Sequence, residues 1–174
     1  MSYCKKVKSY GKIATYETEG DVYRVVNYIA DMRKCDNLIG GGNAIISAKN
    51  IHAMPSFIAD QLIFVQDNAG GAKVRLYHIV ISFDSVLDNM SLQEIQIIAE
   101  GVIAMYPEYQ SVYTLHEDTR NYHLHILFNN ISLLGSRNIS YVFNILDVKN
   151  FVEKKVDEYT YRKSQHFCFR KKLS

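Results

Sequence analysis

The chain has 174 residues, 48% hydrophobic and 22% charged, a length and composition that suit one globular domain spanning residues 1–174 with a sizeable buried core. A formal charge of +2 is too mild to announce nucleic-acid binding by itself, because that inference needs a clearly basic domain. The basic start is followed by no apolar run, and nowhere are there about eighteen uncharged apolar residues in a row, so neither an export signal nor membrane insertion is expected and the expected location is the cytoplasm.

Three cysteines, Cys4, Cys35 and Cys168, are odd in number, far apart and without metal-site spacing, which argues against a disulfide framework and for a reducing compartment. Basic residues gather at the two ends, Lys5, Lys6, Lys8 and Lys12 at one and Arg162, Lys163, Arg170, Lys171 and Lys172 at the other. On charge pattern alone these are solvated termini.

In chain order, Val22, Val25, Val26, Ile29 and Met32 recur close to a 3.6-residue period, and this predicts a helix from about Asp21 to Lys34 with Asp21 as its cap. "NLIGGGNAI" then reads as a loop; no Gly-Lys-Ser/Thr follows, so it is not a phosphate loop. "MPSFIADQLIFVQDNAGG" reads as a second helix, with Pro55 early and Gly70-Gly71 at its end. "RLYHIVISF", Arg75 to Phe83, is β-branched and aromatic, the composition of a buried strand. Ser91 and Glu94 form a capping box that opens a helix from about Leu92 to Tyr106, ahead of Pro107. "SVYTLHE" and "YHLHILFNNI" are strands separated by the polar turn "DTRN", hence antiparallel neighbours. After the loop "LLGSRN", "SYVFNILDVKNFVEKKVDEY" is a last amphipathic helix. This order predicts an α+β fold, an antiparallel or mixed sheet with helices packed on it.

Three of the six histidines, His116, His123 and His125, fall inside ten residues. Strand side chains alternate between faces, so His123 and His125 share one face while Tyr122, Leu124 and Ile126 take the other. The hairpin returns His116 towards them. Three imidazoles converging from an open face could hold a cation and leave coordination positions for substrate, with Asp118 nearby to orient a ligand ring or complete the shell. By ligand preference alone the ion would be zinc or another transition metal, so a three-histidine hydrolase fits this cluster as well.

"HEDTRNYHLHILFN" resembles the three-histidine motif of relaxases, the mobilization nucleases of conjugative and mobilizable elements: a histidine, an aspartate two later, histidine-any-histidine, and an asparagine. The matching residues are His116, Asp118, His123, His125 and Asn129. "YHIVISF" resembles the strand before that family's central helix, and "VVNYIADMRKC" the segment that carries its catalytic tyrosine, which would be Tyr28. "NLIGGGNAI" sits where such proteins often have a Gly-Asn step. The resemblance runs from about Val22 to Tyr159 and implies a histidine-hydrophobe-histidine nuclease with a central antiparallel sheet of about five strands.

It also implies the chemistry. Tyr28 would attack one phosphodiester of single-stranded DNA at a plasmid origin of transfer, leaving a 5′-phosphotyrosine adduct and a free 3′-hydroxyl. A phenol, with a pKa of about 10, needs help from a base or electropositive surroundings to do so at neutral pH. His116, His123 and His125 would hold the divalent cation, magnesium or manganese in this family, and Asp118 would support a ligand histidine or assist proton removal. Arg33 and Lys34 are placed for phosphates. His78, which shares a strand face with Ser82, would either contact the DNA or pack. Tyr23, roughly 140° from Tyr28 around a helix, ranks second as nucleophile, and no second tyrosine pairs evidently with Tyr28, so a single-tyrosine mechanism is expected. Conjugative relaxases usually continue beyond this core, whereas "FCFRKKLS" ends here at Ser174. That suggests a minimal relaxase or one whose origin recognition is completed by an accessory or coupling protein. The alternatives are an origin-binding or replication-control protein that does not cut, and the metal hydrolase.

Overall fold

The computed structural model describes residues 14–31, 46–71, 73–84, 90–116, 121–135 and 137–171, with residues 46, 84, 121 and 164–171 as backbone only. Among the described residues five strands form one sheet: β1 (Ala14–Tyr16), β2 (Ile46–Lys49), β3 (Leu76–Asp84), β4 (Tyr109–His116) and β5 (Asn121–Ser132). Their spatial order is β1-β3-β5-β4-β2, and every pairing is antiparallel. Among the described residues four α-helices flank it, α1 (Glu19–Ile29), α2 (Pro55–Asn68), α3 (Leu92–Ala104) and α4 (Ile145–Lys171), with a 3-10 turn at Ile139–Tyr141. The fold is therefore α+β, as the order of elements predicted. The short edge strands β1 and β2 have no strand-like run of their own in the sequence; they are strands because longer neighbours offer them a ladder.

The sheet is buried on both faces. On one, Ile79, Ile81 and Phe83 of β3, Tyr113 and Leu115 of β4 and Leu124, Ile126 and Phe128 of β5 pack with Ile95, Ile98 and Val102 of α3 and Val148, Val152 and Val156 of α4. On the other, Leu76, Val112 and Leu127 meet Val22, Val25, Val26 and Ile29 of α1 and Ile58, Leu62 and Ile63 of α2. This second layer, absent from the expectation that the histidine face lies open, is what covers two of the three histidines.

Helix starts follow local chemistry. Ser91 and Glu94 make the expected capping box, and Pro55 occupies the first turn of α2, where its missing N–H costs nothing. Gly70 and Gly71, both at positive φ, stop that helix. At α1 the cap is Thr18 rather than Asp21: the Thr18 hydroxyl accepts from the Asp21 N–H at 3.1 Å, while the Asp21 carboxylate accepts from the Thr18 N–H at 3.2 Å. Asp21 is thus the return partner of the box, and the helix begins two residues earlier than expected. It also ends earlier, at Ile29 instead of running on to Lys34. Among the described residues, no helix is long and apolar enough to cross a membrane.

Candidate active site

The β4-β5 hairpin sets His116 directly opposite His123, and the same row continues to Ser82 on β3. One row further along, Thr114, His125 and Val80 face each other, and His78 lies one more row on, opposite Leu127. Alternation then puts His78, Ser82, His116, His123 and His125 on one face, the α1–α2 side. The pairs expected from alternation, His123 with His125 and His78 with Ser82, share faces as expected, and the register adds that both pairs lie on the same one.

Helix α1 lays its apolar stripe over this face and stops above the histidines. Its last residue, Ile29, carries one of the terminal carbonyls that the hydrogen-bond ladder of an α-helix leaves for other donors. The His116 ring supplies the missing donor, with Nε2 2.8 Å from the Ile29 oxygen. A carbonyl only accepts, so His116 carries a proton on Nε2, and in the neutral ring Nδ1 is then the nitrogen with the lone pair. His116 is fully buried (0% exposed) and His125 nearly so (4%), while His123 is half-buried at the hairpin end.

Tyr28, the residue before Ile29, is 45% exposed and its ring stands edge-on to two of the histidines. Ring centres are 5.7 Å apart for Tyr28 and His116 and 5.5 Å for Tyr28 and His125. Tyr23 goes elsewhere: its hydroxyl donates a short hydrogen bond to Asp60 on α2. That bond holds the Tyr23 pKa above the ordinary phenol range, the direction that disfavours a nucleophilic oxygen.

His78 is 6% exposed, with both ring nitrogens engaged. Its Nε2 lies 2.9 Å from Nδ1 of His125 and its Nδ1 3.0 Å from the Tyr16 hydroxyl on β1. Burial, and then the nearby His116, lower its pKa from 6.5 to about 4, which keeps the ring neutral near pH 7. Of the two expectations for His78, DNA contact or packing, this position accords with packing. Tyr16 belongs to no sequence motif, and its arrival here through the three-residue strand β1 had no signal in the sequence.

The expected convergence of three imidazoles is only partly realised. His116 and His125 are adjacent, with ring centres 4.4 Å apart, but the His123 ring is 6.5 Å from that of His125. Among the described residues no three imidazole, thiolate or carboxylate side chains stand close enough to hold a metal ion as placed. The donor set still suits one: three imidazoles reach one face from paired strands, and opposite residues have Cβ atoms about 5 Å apart, within reach of a side-chain rotation at His123. Asp118, Arg33 and Lys34 lie outside the described residues.

Asn129, the last member of the histidine motif, is remote from the cluster, four residues along β5 from His125. Fully buried, it donates to the Leu62 carbonyl (3.0 Å) and to Gln110 Oε1 (2.8 Å) and accepts from Gln66 Nε2 (2.9 Å). It ties α2 to β4 and β5.

The family model described as "Relaxase: MobA/VirD2-like, nuclease domain" matches residues 28–162, from Tyr28 through the histidine cluster and most of α4. No curated protein matches the chain. No solved structure matches it either.

Proposed function

The chain belongs to the MobA/VirD2-like relaxase nuclease family, and from that premise we propose that residues 1–174 form one metal-dependent relaxase domain that nicks a single DNA strand at an origin of transfer through Tyr28. The observation that carries the reading is the placement of an exposed tyrosine hydroxyl-bearing ring against His116 and His125, at the end of a helix anchored to His116 itself.

The Tyr28 oxygen bonds to phosphorus as the bond from phosphorus to the 3′ oxygen breaks. The phenol gives up its proton, the departing 3′ oxygen gains one, and the strand is left with a 5′-phosphotyrosine and a 3′-hydroxyl. No water is consumed, so the phosphotyrosine bond can be reversed by a 3′-hydroxyl to rejoin a strand. His116, His123 and His125 are the residues that would hold a divalent cation, magnesium or manganese, with zinc or another transition ion accepted by the same imidazoles. When bound, that cation supplies charge for the phosphate oxygens and fixes the phosphate's orientation. His116 and His125 position Tyr28 through ring contact. Asp118 supports a ligand ring or takes the phenol proton, and Arg33 and Lys34 bind the flanking phosphates. The partner is single-stranded DNA, with an accessory or coupling protein loading the complex during mobilization of a plasmid or similar element.

Incubation with labelled single-stranded origin DNA and manganese, followed by a denaturing gel, tests this. A covalent protein-DNA band is expected, absent with chelator and in Tyr28→Phe and retained in Tyr23→Phe. Cleavage without an adduct would instead indicate a metal hydrolase, and binding without cleavage an origin-binding protein. An adduct surviving Tyr28→Phe but lost in Tyr23→Phe would move the nucleophile to Tyr23.

A further inference from the structure

We propose that Tyr16 and His78 form a two-residue relay that holds the ring of His125 with its proton on Nδ1 and so presents Nε2 to the cation. The inference rests on the metal-dependent reading above. It concerns residues on β1 and β3 that the catalytic assignment leaves without a role.

The geometry is a chain of two hydrogen bonds across three strands: Tyr16 hydroxyl to His78 Nδ1 at 3.0 Å, then His78 Nε2 to His125 Nδ1 at 2.9 Å. A neutral imidazole has one N–H donor and one acceptor nitrogen, so the chain can run in only two directions. If the Tyr16 hydroxyl donates to His78, then His78 donates to His125 Nδ1, and His125 must carry its own proton on Nε2, where it blocks ligation. In the reverse direction His125 donates from Nδ1 to His78 Nε2 and His78 donates from Nδ1 to the Tyr16 oxygen. Nε2 of His125 then carries the lone pair a cation needs. A ligating histidine commonly gives its second N–H to a fixed acceptor, and here that acceptor is another histidine with its own acceptor behind it.

The other ligand pair follows the same logic. His116 is held by the Ile29 carbonyl with its proton on Nε2, so its ligating atom is Nδ1. His116 is thus oriented by the helix that carries Tyr28, and His125 by the far edge of the sheet. His78 and Tyr16 are positioning residues in this scheme and touch neither DNA nor cation.

The test uses the full chain with ¹⁵N-labelled histidine. In the metal-free wild type, an N–H···N bond between His78 and His125 gives a scalar coupling between their ring nitrogens. With zinc added, the His125 ring proton is expected on Nδ1. His78→Leu should lose the coupling and weaken zinc binding by about 10- to 100-fold in calorimetry. His78→Gln, whose Oε1 can accept from His125 Nδ1, should restore affinity to near the wild-type value, and it also covers the case in which His78→Leu does not fold. Tyr16→Phe should give a smaller loss than His78→Leu.

No coupling in the metal-free wild type, or a zinc-bound His125 with its proton on Nε2, overturns the relay. So does a folded His78→Leu, or a His78→Gln, in which affinity tracks thermal stability alone. A coupling present in a wild type that binds no zinc overturns the metal-dependent reading and with it the relay's purpose, an outcome distinct from failure of the bond itself.

Discussion

His116 donates from Nε2 to the carbonyl of Ile29 at 2.8 Å, so a proposed metal ligand also terminates the helix that presents the proposed nucleophile. Replacing it removes a buried ring and leaves a carbonyl without its donor. His116→Ala should therefore cost about 2–4 kcal/mol of stability, from the cavity and the lost hydrogen bond together. His116→Gln keeps an N–H near the same carbonyl and should recover part of that stability without recovering cation affinity. Chemical denaturation alongside calorimetric metal titration separates the two roles. Equal loss of affinity and stability in both variants would mean that His116 is structural only.

Acid should destabilise the metal-free protein through His78. Its folded pKa of about 4 lies below the ordinary 6.5, because burial and then the nearby His116 oppose its charge; His125 and Tyr16 are its hydrogen-bond partners. Between these values the unfolded chain binds the proton and the folded chain does not, so stability is complete above pH 6.5 and is lost as pH falls towards 4. The full difference corresponds to about 3 kcal/mol. Thermal melts in chelator from pH 7.5 to 4.5 should show a falling Tm in the wild type and a flatter profile in His78→Gln. Parallel profiles would assign the acid sensitivity to other groups.

The parts of this architecture that the sequence made legible are those with their own local signal. The Ser91–Glu94 box, Pro55, the β-branched run of β3 and the two-residue alternation of β5 each announce an element through its own chemistry. The sheet face shared by His116, His123 and His125 followed from parity and the hairpin turn, while the proposal of Tyr28 as nucleophile comes from resemblance to a family motif. What stayed hidden depends on distant partners. Three residues cannot signal an edge strand, so β1 and the Tyr16 contact were invisible, and so was the burial of His116 and His125 beneath α1. The early end of α1 belongs with these: the periodicity of Val22 to Met32 continues past Ile29, whereas the histidine that takes the Ile29 carbonyl comes from the other half of the chain.

Asn129 should behave as a structural residue despite standing in the histidine motif. Its side chain satisfies Gln66, Gln110 and the Leu62 carbonyl at once, so Asn129→Leu strands several buried polar groups. A loss of about 2–4 kcal/mol is expected, since each orphaned group costs about 1–3 kcal/mol and they relax partly together. Cation affinity per folded molecule should hardly change. A variant with wild-type Tm and lost affinity would return Asn129 to the site.

Gly101, in the interior of α3, lacks a helix-breaking function and is explained by its neighbour. A Cβ at this position would overlap Cζ and sit 2.8 Å from Cε1 of Phe151, the α4 ring that packs across it. In an isolated helix Gly→Ala is worth nearly 1 kcal/mol in favour of alanine. Here the contact opposes that gain, because a side chain at this position requires the Phe151 ring of α4 to shift. Gly101→Ala should lose about 1–3 kcal/mol, the usual range for overpacking, or about 2–12 °C in Tm for a chain of this size. The aromatic ring can turn aside, which would place the loss at the lower end. Gly101→Ala combined with Phe151→Leu should be more stable than the sum of the two single changes predicts, since the smaller side chain removes the clash and lets the helix propensity of alanine act. A Gly101→Ala protein that melts above the wild type would show that the Phe151 ring moves without cost.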